Sequence, residues 1–197
     1  MRLKWLLVLL MVFGAYQHWH ARPVSTHMTP GIAVADDPRQ TEVDSVPAFQ
    51  KGHYRIQPLA RFDIQARVLG AEHYHMDREA DLSPVDLAMG WGAMSDPEIL
   101  RRIEISQGGR FYYWHVDAFP IPREEIETHS ANMHMIPADD RIADQLTSIR
   151  PGEIVKLHGY LVEATAEDGW HWRSSLTRND TGAGACELVW VESVEAL

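Results

Sequence analysis

Three segments near the end of the chain are rich in β-branched and aromatic residues, and one well-formed helix pattern precedes them. The three strand-like segments cover residues 154–163, 170–177 and 186–194. Asp139 or Asp140 caps the helix pattern, in which Ile142, Leu146 and Ile149 lie on one side. Strands do not alternate with helices along the chain, so this order predicts an α+β fold with a small, curved antiparallel sheet.

Earlier segments supply further strands. Residues 62–68 alternate apolar and polar side chains, as expected of a strand with one buried face. Residues 103–106 and 110–116 flank Gly108-Gly109, which predicts a hairpin, and residues 132–136 predict a short strand. The expected apolar face of the sheet contains Phe62, Ile64, Val68, Leu157, Leu161, Trp172 and Leu188.

Helix signals are weaker in the middle of the chain. Ser83 followed by Pro84 has the pattern of an N-cap and first helical residue, which predicts a short helix over residues 82–89. Ser95 or Asp96 caps a second short helix at residues 97–102, and residues 122–127 predict a single helical turn.

Early strands, a helix and closing strands come in the order of the five-stranded barrel that binds oligonucleotides and oligosaccharides. We therefore expect an OB-like barrel with short helices over residues 53–197, preceded by an N-terminal apolar helix. Over about residues 60–193 the chain also resembles a group of uncharacterised bacterial envelope proteins. The stretches that carry this resemblance are residues 82–87, 90–96, 130–134 and 174–182. The resemblance implies an exported bacterial protein and supplies no catalytic residue.

The beginning of the chain has the order of an export signal. Arg2 and Lys4 precede an apolar run from Trp5 to Ala15, which the translocation machinery reads with its positive end in the cytoplasm. We interpret residues 1–20 as an uncleaved signal anchor in the inner membrane. A cleaved signal peptide, which would release the protein into the periplasm, is the alternative because the run is shorter than the ~20 residues of a spanning helix.

Residues 21–52 contain Pro23, Pro30, Pro38 and Pro47 among polar side chains and show almost no apolar periodicity. Such a composition predicts a flexible, acidic tether. The remaining residues, 53–197, are then an extracytoplasmic domain on the periplasmic side of the membrane.

Charge and cysteine content exclude several classes of protein. The net charge of −10 argues against nucleic acid as a partner, because the protein's field repels polyanions. The single cysteine, Cys186, excludes an intrachain disulfide and every multi-cysteine zinc site. The fold must therefore depend on its apolar core.

His73, His75 and Asp77 stand at alternate positions and, on an extended backbone, would point the same way. Two imidazoles and a carboxylate suit zinc, so these residues are the metal-site candidate. A solvated polar loop is the alternative interpretation of the same segment.

The segment from Ser174 to Cys186 joins two predicted strands and is dense in hydroxyl groups and glycines. Its Arg178 and Asp180 are candidate ligand-binding residues, because an arginine can hold an anionic group bidentately. An internal clamp between the same two side chains is the alternative. His171, Arg173 and Ser175 share one face of the preceding strand and complete the candidate ligand site.

Nucleophile signals are less specific. Cys186 could act with His134 or His158 as base, or simply pack as a small apolar residue at the start of a strand. Ser175 and His171 could form the nucleophile and base of a hydrolase. The strained turn that usually surrounds a catalytic serine is, however, missing from the sequence around Ser175.

The sequence thus favours a membrane-tethered extracytoplasmic binding or assembly module of the bacterial envelope, without catalysis or cofactor. Its expected partners are an envelope protein or glycan, besides the inner membrane. A metal-dependent or His/Ser-based hydrolase and a structural subunit of an envelope complex are the alternatives.

Overall fold

The computed structural model describes residue 11, residues 29–177 and residues 186–197. In the described residues the strands are β1 (Arg39–Glu42), β2 (Phe49–Lys51), β3 (Tyr54–His73), β4 (Val85–Gly90), β5 (Glu104–Gly108), β6 (Phe111–His115), β7 (Ser130–Pro137), β8 (Ile154–Ala166), β9 (His171–Arg173) and β10 (Glu187–Ala196). The helices are α1 (Pro97–Leu100), α2 (Arg123–Thr128) and α3 (Asp140–Ser148), with 3₁₀ turns at Arg78–Asp81 and Gly92–Ser95. The predicted anchor at residues 1–20 lies, apart from Met11, outside the described residues. Among the residues that are described, no helix is long and apolar enough to cross a membrane.

The fold is a sheet-rich α+β arrangement, and its main sheet has eight strands. Pairing runs from β3 through β4, β7, β10 and β8, and β8 pairs with β3 again. The strands form a partial ring and not a clean barrel, because β1, β2 and β9 pair at its margins. The predicted antiparallel sheet is wrong in one pairing: β7 and β10 run parallel. Parallel neighbours need a long connection, and here α3 and β8 lie between them in the chain.

The long strand β3 pairs with two different strands and so curves the sheet back on itself. Its residues 54–67 pair with β8, and its residues 67–73 pair with β4. Register shifts at Pro58/Ala60 and Val68/Gly70 mark β-bulges or irregularities, which bend a strand and increase its twist. Strand β3 can therefore pair with β8 along its first part and with β4 along its last part.

The main apolar cluster lies where the predicted face of the sheet places it. Phe62, Ile64, Val68, Leu157 and Leu161 are all buried in that cluster. The two other predicted core residues belong to a second cluster, in which Leu188 is buried and Trp172 is only partly buried. On β10, Leu188 points away from Val189 and Val191, which pack in the main cluster, because side chains alternate along a strand.

The predicted helix at residues 82–89 is wrong, because residues 85–90 form β4. This strand lies between β3 and β7, and all six of its residues are buried. A strand buried on both faces has no polar alternation, so its apolar run resembles a short helix. Ser83 does not cap a helix, and its hydroxyl hydrogen-bonds to the Val85 carbonyl instead.

Part of the predicted tether packs against the sheet instead of remaining free. Strands β1 and β2 both pair with β3. Val34 is buried in the main cluster, and its backbone N–H donates to the Ser95 hydroxyl at 3.0 Å. Residues from Val34 onward thus contribute to the fold.

Other local predictions agree with the structure. Asp96 caps α1 by accepting from the Glu98 N–H, and Asp139 caps α3 by accepting from the Ile142 N–H. Strands β5 and β6 form the predicted hairpin.

Strand β9 is shorter than the predicted strand over residues 170–177, because the Ser174 and Ser175 hydroxyls bond to nearby backbone groups.

Strand β10 passes close to the backbone of β8 at Gly159. A Cβ at this position would lie 1.9 Å from the Trp190 carbonyl oxygen, a backbone atom that cannot rotate away. We expect Gly159→Ala to destabilise the protein by about 1–3 kcal/mol, because the two strands must separate. Urea denaturation measures the change in the free energy of unfolding.

The matched control for that substitution is Gly108→Ala. Gly108 also lies in a strand, but no atom lies within 4 Å of the point that an alanine Cβ would occupy there. Its effect should stay within about 0.5 kcal/mol. Equal denaturation midpoints for the two variants would contradict the close approach of β8 and β10.

Candidate functional site

Two buried polar residues face one another on the outer side of the sheet. On β4 and β7, Val85 and Met133 pack in the main cluster, so the alternate residues point outward. Asp86 and His134 are such residues, and they are cross-strand partners. The side chains of Asp86 and His134 are nevertheless only 1% and 4% exposed. Other elements must therefore cover this part of the outer face.

Arg110, at the tip of the β5–β6 hairpin, provides the cover. Its Nη1 lies 2.9 Å from Asp86 Oδ1, and its Nη2 lies 2.7 Å from Asp77 Oδ1. Nη1 also donates to the Ser83 carbonyl at 2.9 Å. The guanidinium is 3.6 Å from the centre of the Tyr74 ring, a cation–π contact. One cation thus ties the hairpin tip to β4 and to the segment between β3 and β4.

The backbone of Arg110 is unusual for a residue with a side chain. Gly109 and Arg110 have φ angles of 59° and 70°, the left-handed pair of a tight hairpin turn. A glycine would adopt this conformation without strain. The Arg110 N–H donates to Tyr74 Oη at 3.0 Å, and its carbonyl accepts from Asn132 Nδ2 at 3.1 Å. Strained residues that the surroundings hold in place are typical of functional sites.

His134 completes the group. Its Nδ1 lies 3.0 Å from Asp86 Oδ2, at an angle unsuited to a hydrogen bond. Its ring centre lies 4.6 Å from that of Trp172 on β9. The two oxygens of Asp86 therefore face an arginine and a histidine. We call Arg110, Asp86, His134, Tyr74 and Trp172 the Arg110 cluster.

The pKa values of side chains around the cluster are shifted by burial and by neighbouring charges. Burial, followed by the charge of Asp86, raises the pKa of Glu72. Burial also raises the pKa of Tyr74. For Asp77, burial acts to raise the pKa, but the hydrogen bond and charge of Arg110, together with backbone hydrogen bonds such as that from the Ala80 N–H, outweigh it, and the pKa is lowered. The cation of Arg110 thus helps to keep the Asp77 carboxylate ionised.

A second arginine lies beside the cluster. Arg78 holds Asp168 bidentately, with Nη1–Oδ2 and Nη2–Oδ1 distances of 2.7 and 3.0 Å. Its guanidinium lies 4.8 Å from the Trp170 ring centre and 5.8 Å from that of Tyr54. The hydrogen bonds from Arg78 lower the pKa of Asp168 to about 2. We call Arg78, Asp168, Trp170 and Tyr54 the Arg78 clasp.

The two arrangements meet at the tryptophans of the β8–β9 region. The ring centres of Trp170 and Trp172 are 6.3 Å apart, and those of Tyr54 and Trp170 are 5.3 Å apart. A row of aromatic rings thus extends from the Arg78 clasp to His134. Arginines from two different segments lie over its faces.

The predicted metal ligands are used differently in the structure. Strand β3 ends at His73, so residues 74–77 lie outside any strand. Asp77 accepts from the Ala80 N–H at 2.6 Å and pairs with Arg110, while His75 is exposed. The described part of the chain contains no group of three or more His, Cys, Asp or Glu side chains that could hold a metal ion.

The predicted ligand-binding residues lie in three different settings. His171 and Arg173 are exposed on β9, and Arg173 Nη1 donates to Glu163 Oε2 at 2.7 Å. Ser175 is buried, and its hydroxyl accepts from the Thr177 N–H. Arg178 and Asp180 lie outside the described residues.

Cys186 lies at the edge of the Arg110 cluster. Its Sγ is 4.0 Å from the Arg110 carbonyl oxygen, which also accepts from Asn132. His158, one of its two predicted bases, hydrogen-bonds through Nδ1 to Asp63 on β3. The cysteine is partly buried, as expected of a packed thiol.

Sequence reasoning did not single out Asp86, Arg110 or Tyr74. Two local signals could have found the first two. Asp86 is a charged residue inside the apolar run of residues 85–89, and Arg110 follows Gly109 where a tight hairpin favours glycine. No local pattern indicates that these residues meet.

Comparisons with protein-family models, with curated proteins and with solved structures found no match for this chain. Similarity to a protein of known activity therefore contributes nothing to the interpretation of the Arg110 cluster.

Replacing Arg110 with glycine separates the backbone of this residue from its side chain. Glycine relieves the left-handed strain but leaves Asp86 buried without its cation. We expect Arg110→Gly to lower the free energy of unfolding by about 2–4 kcal/mol, because an uncompensated buried charge outweighs the relief of strain. Chemical denaturation at neutral pH measures this loss of stability.

Arg101→Ala is the control, since the Arg101 side chain is 61% exposed and pairs with Glu98 at the surface. It should change stability by no more than about 0.5 kcal/mol. An Arg110→Gly variant as stable as the unaltered protein would show that the buried ion pair does not hold the hairpin tip.

Proposed function

We propose that this protein is a membrane-tethered, extracytoplasmic binding module of the bacterial envelope, built on an OB-like barrel. The support for the barrel is the order of pairing, in which β3, β4, β7, β10 and β8 return to β3. Helix α3 lies between β7 and β8, the third and fourth of these five strands in chain order. That is the arrangement of elements in the five-stranded Greek-key barrel.

The location of the polar side chains carries the binding proposal. Barrels of this kind bind ligands on the face of their second and third strands and with the loops after the first and fourth. The corresponding elements here are β4 and β7, with residues 74–84 and 167–170. These elements and the β5–β6 hairpin tip supply most of the Arg110 cluster and the Arg78 clasp. Trp172 on β9 and Tyr54 at the start of β3 complete them.

We assign recognition, and no catalytic step, to this face. Asp86 and Asp168, the carboxylates that face the two arginines, are held by charge-assisted hydrogen bonds that order the surrounding segments. The aromatic row supplies apolar surface beside them, and large aromatic side chains dominate the affinity of many binding surfaces.

The proposed location rests on the N-terminal sequence. Arg2 and Lys4 before the apolar run favour an anchor in the inner membrane with the domain outside the cytoplasm. The net charge of −10 disfavours nucleic acid as the ligand. An envelope protein or glycan is the ligand that remains consistent with both observations.

Capture of ligand by the full chain tests this proposal. The purified protein is immobilised in detergent and exposed to a solubilised bacterial envelope, and bound protein and glycan are quantified. Trp172→Ala removes the ring of the Arg110 cluster that contacts Trp170 of the Arg78 clasp, and it should lower capture about tenfold or more. Arg178→Ala should also lower capture, because it removes the predicted contact with an anionic group.

Tyr113→Ala is the matched control, because Tyr113 is an aromatic residue 55% exposed on the β5–β6 hairpin. It should leave capture unchanged. Capture that survives Trp172→Ala and is lost with Tyr113→Ala would place the ligand on the hairpin and overturn the proposed face.

A further inference from the structure

The aromatic rings of the Arg78 clasp present their faces to a cation. Tyr54 and Trp170 meet at an interplanar angle of 62°, and Trp170 and Trp172 meet at 69°. In such edge-to-face contacts the edge of one ring meets the face of the next, which does not build the flat platform on which sugars stack. What lies over the Trp170 face is the Arg78 guanidinium. The clasp therefore favours a cationic group over a sugar ring.

The groups around Arg78 match a guanidinium in detail. The two Asp168 oxygens accept from two of its nitrogens, and Tyr54 Oη lies 3.4 Å from its Nε. Fork-like pairing with a carboxylate and stacking on an aromatic face are the two contacts that distinguish arginine from other side chains. The clasp is thus a complete guanidinium site, filled by a residue of the same chain.

The ion pair of the Arg78 clasp is open to solvent, unlike that of the Arg110 cluster, although Tyr54 beneath it is buried. The side chains of Arg78 and Asp168 are 35% and 59% exposed, whereas those of Arg110 and Asp86 are 13% and 1% exposed. An exposed ion pair contributes little to stability, so a competing cation can displace Arg78 at small cost. Displacing Arg110 would leave a buried carboxylate uncompensated.

We infer that the Arg78 clasp is a binding site for an arginine side chain of a partner protein, and that Arg78 occupies it as an internal pseudo-ligand. The inference rests on the proposed function and names its ligand class, a cationic protein segment. The net charge of −10 complements such a partner. Removing Arg78 should therefore increase affinity, the opposite of what happens when a binding residue is lost.

The expected gain follows from competition. A ligand that enters a site already occupied binds with an affinity lowered by the fraction of molecules in which the site is free. Because the Arg78 guanidinium is held by an aromatic face and a carboxylate, we expect the site to be unoccupied in only a minority of molecules. Removing Arg78 should then raise the affinity for the ligand about fivefold.

The experiment uses the full chain in detergent and a dye-labelled peptide in which arginine and glycine alternate. Fluorescence anisotropy gives the dissociation constant for the unaltered protein and for Arg78→Ala. The variant should bind about fivefold more tightly. Adding Trp170→Ala or Asp168→Asn to the variant should abolish the gain, because each removes one part of the site.

Two further variants separate loss of the pseudo-ligand from loss of a positive charge and from misfolding. Arg141→Ala removes the same charge from the exposed surface of α3, where the arginine contacts Gln145, and it should not change peptide affinity. Arg78→Gln keeps most of the side-chain length without the charge, and it should reproduce the gain if Arg78→Ala does not fold. Thermal melting verifies the fold of each variant.

Peptide affinity that is unchanged or weaker in both Arg78 variants would overturn the inference. If envelope capture still depends on Trp172 in that case, the proposed function stands and its ligand is not a cationic segment. If the Arg78 variants gain affinity while capture ignores Trp172, the cation site is real and the proposed binding face is wrong.

Discussion

The buried ion pair between Arg110 and Asp86 is the interaction on which this outer face depends. Removing a charge from water is costly, and the cost is recovered only when a partner and further hydrogen bonds are in place. Here Asp77, the Ser83 carbonyl and the Tyr74 ring supply those further contacts. One cation thereby orders the hairpin tip and the segment between β3 and β4 against the sheet.

The ring of strands explains why a charged group can be buried on its outer side. The apolar side chains of β3, β4, β7, β8 and β10 fill the interior, and polar residues of the same strands point outward. Strands β5 and β6, inserted between β4 and β7, fold back so that their tip covers Asp86, while Trp172 of β9 packs beside His134. The insertion turns a solvated face into a partly enclosed one, which gives the surrounding loops a fixed position.

The sequence predicted the parts of this fold that depend on local patterns. The caps of α1 and α3 and the β5–β6 hairpin follow from residues close in sequence. Strand β4 was missed because it is buried on both faces and lacks alternation, and the parallel pairing of β7 with β10 has no local signal. The Arg110 cluster was missed for the same reason, since tertiary pairing brings its members together from five separate segments.

We propose that the protein contacts its ligand on the outer face around the Arg110 cluster. Hydrogen–deuterium exchange of the full chain, with and without the captured envelope ligand, tests it most directly. We predict slower exchange on binding in residues 74–86 and 167–177, which surround the cluster. Slower exchange confined to the exposed face of the hairpin at residues 104–115, or to α3, would contradict it.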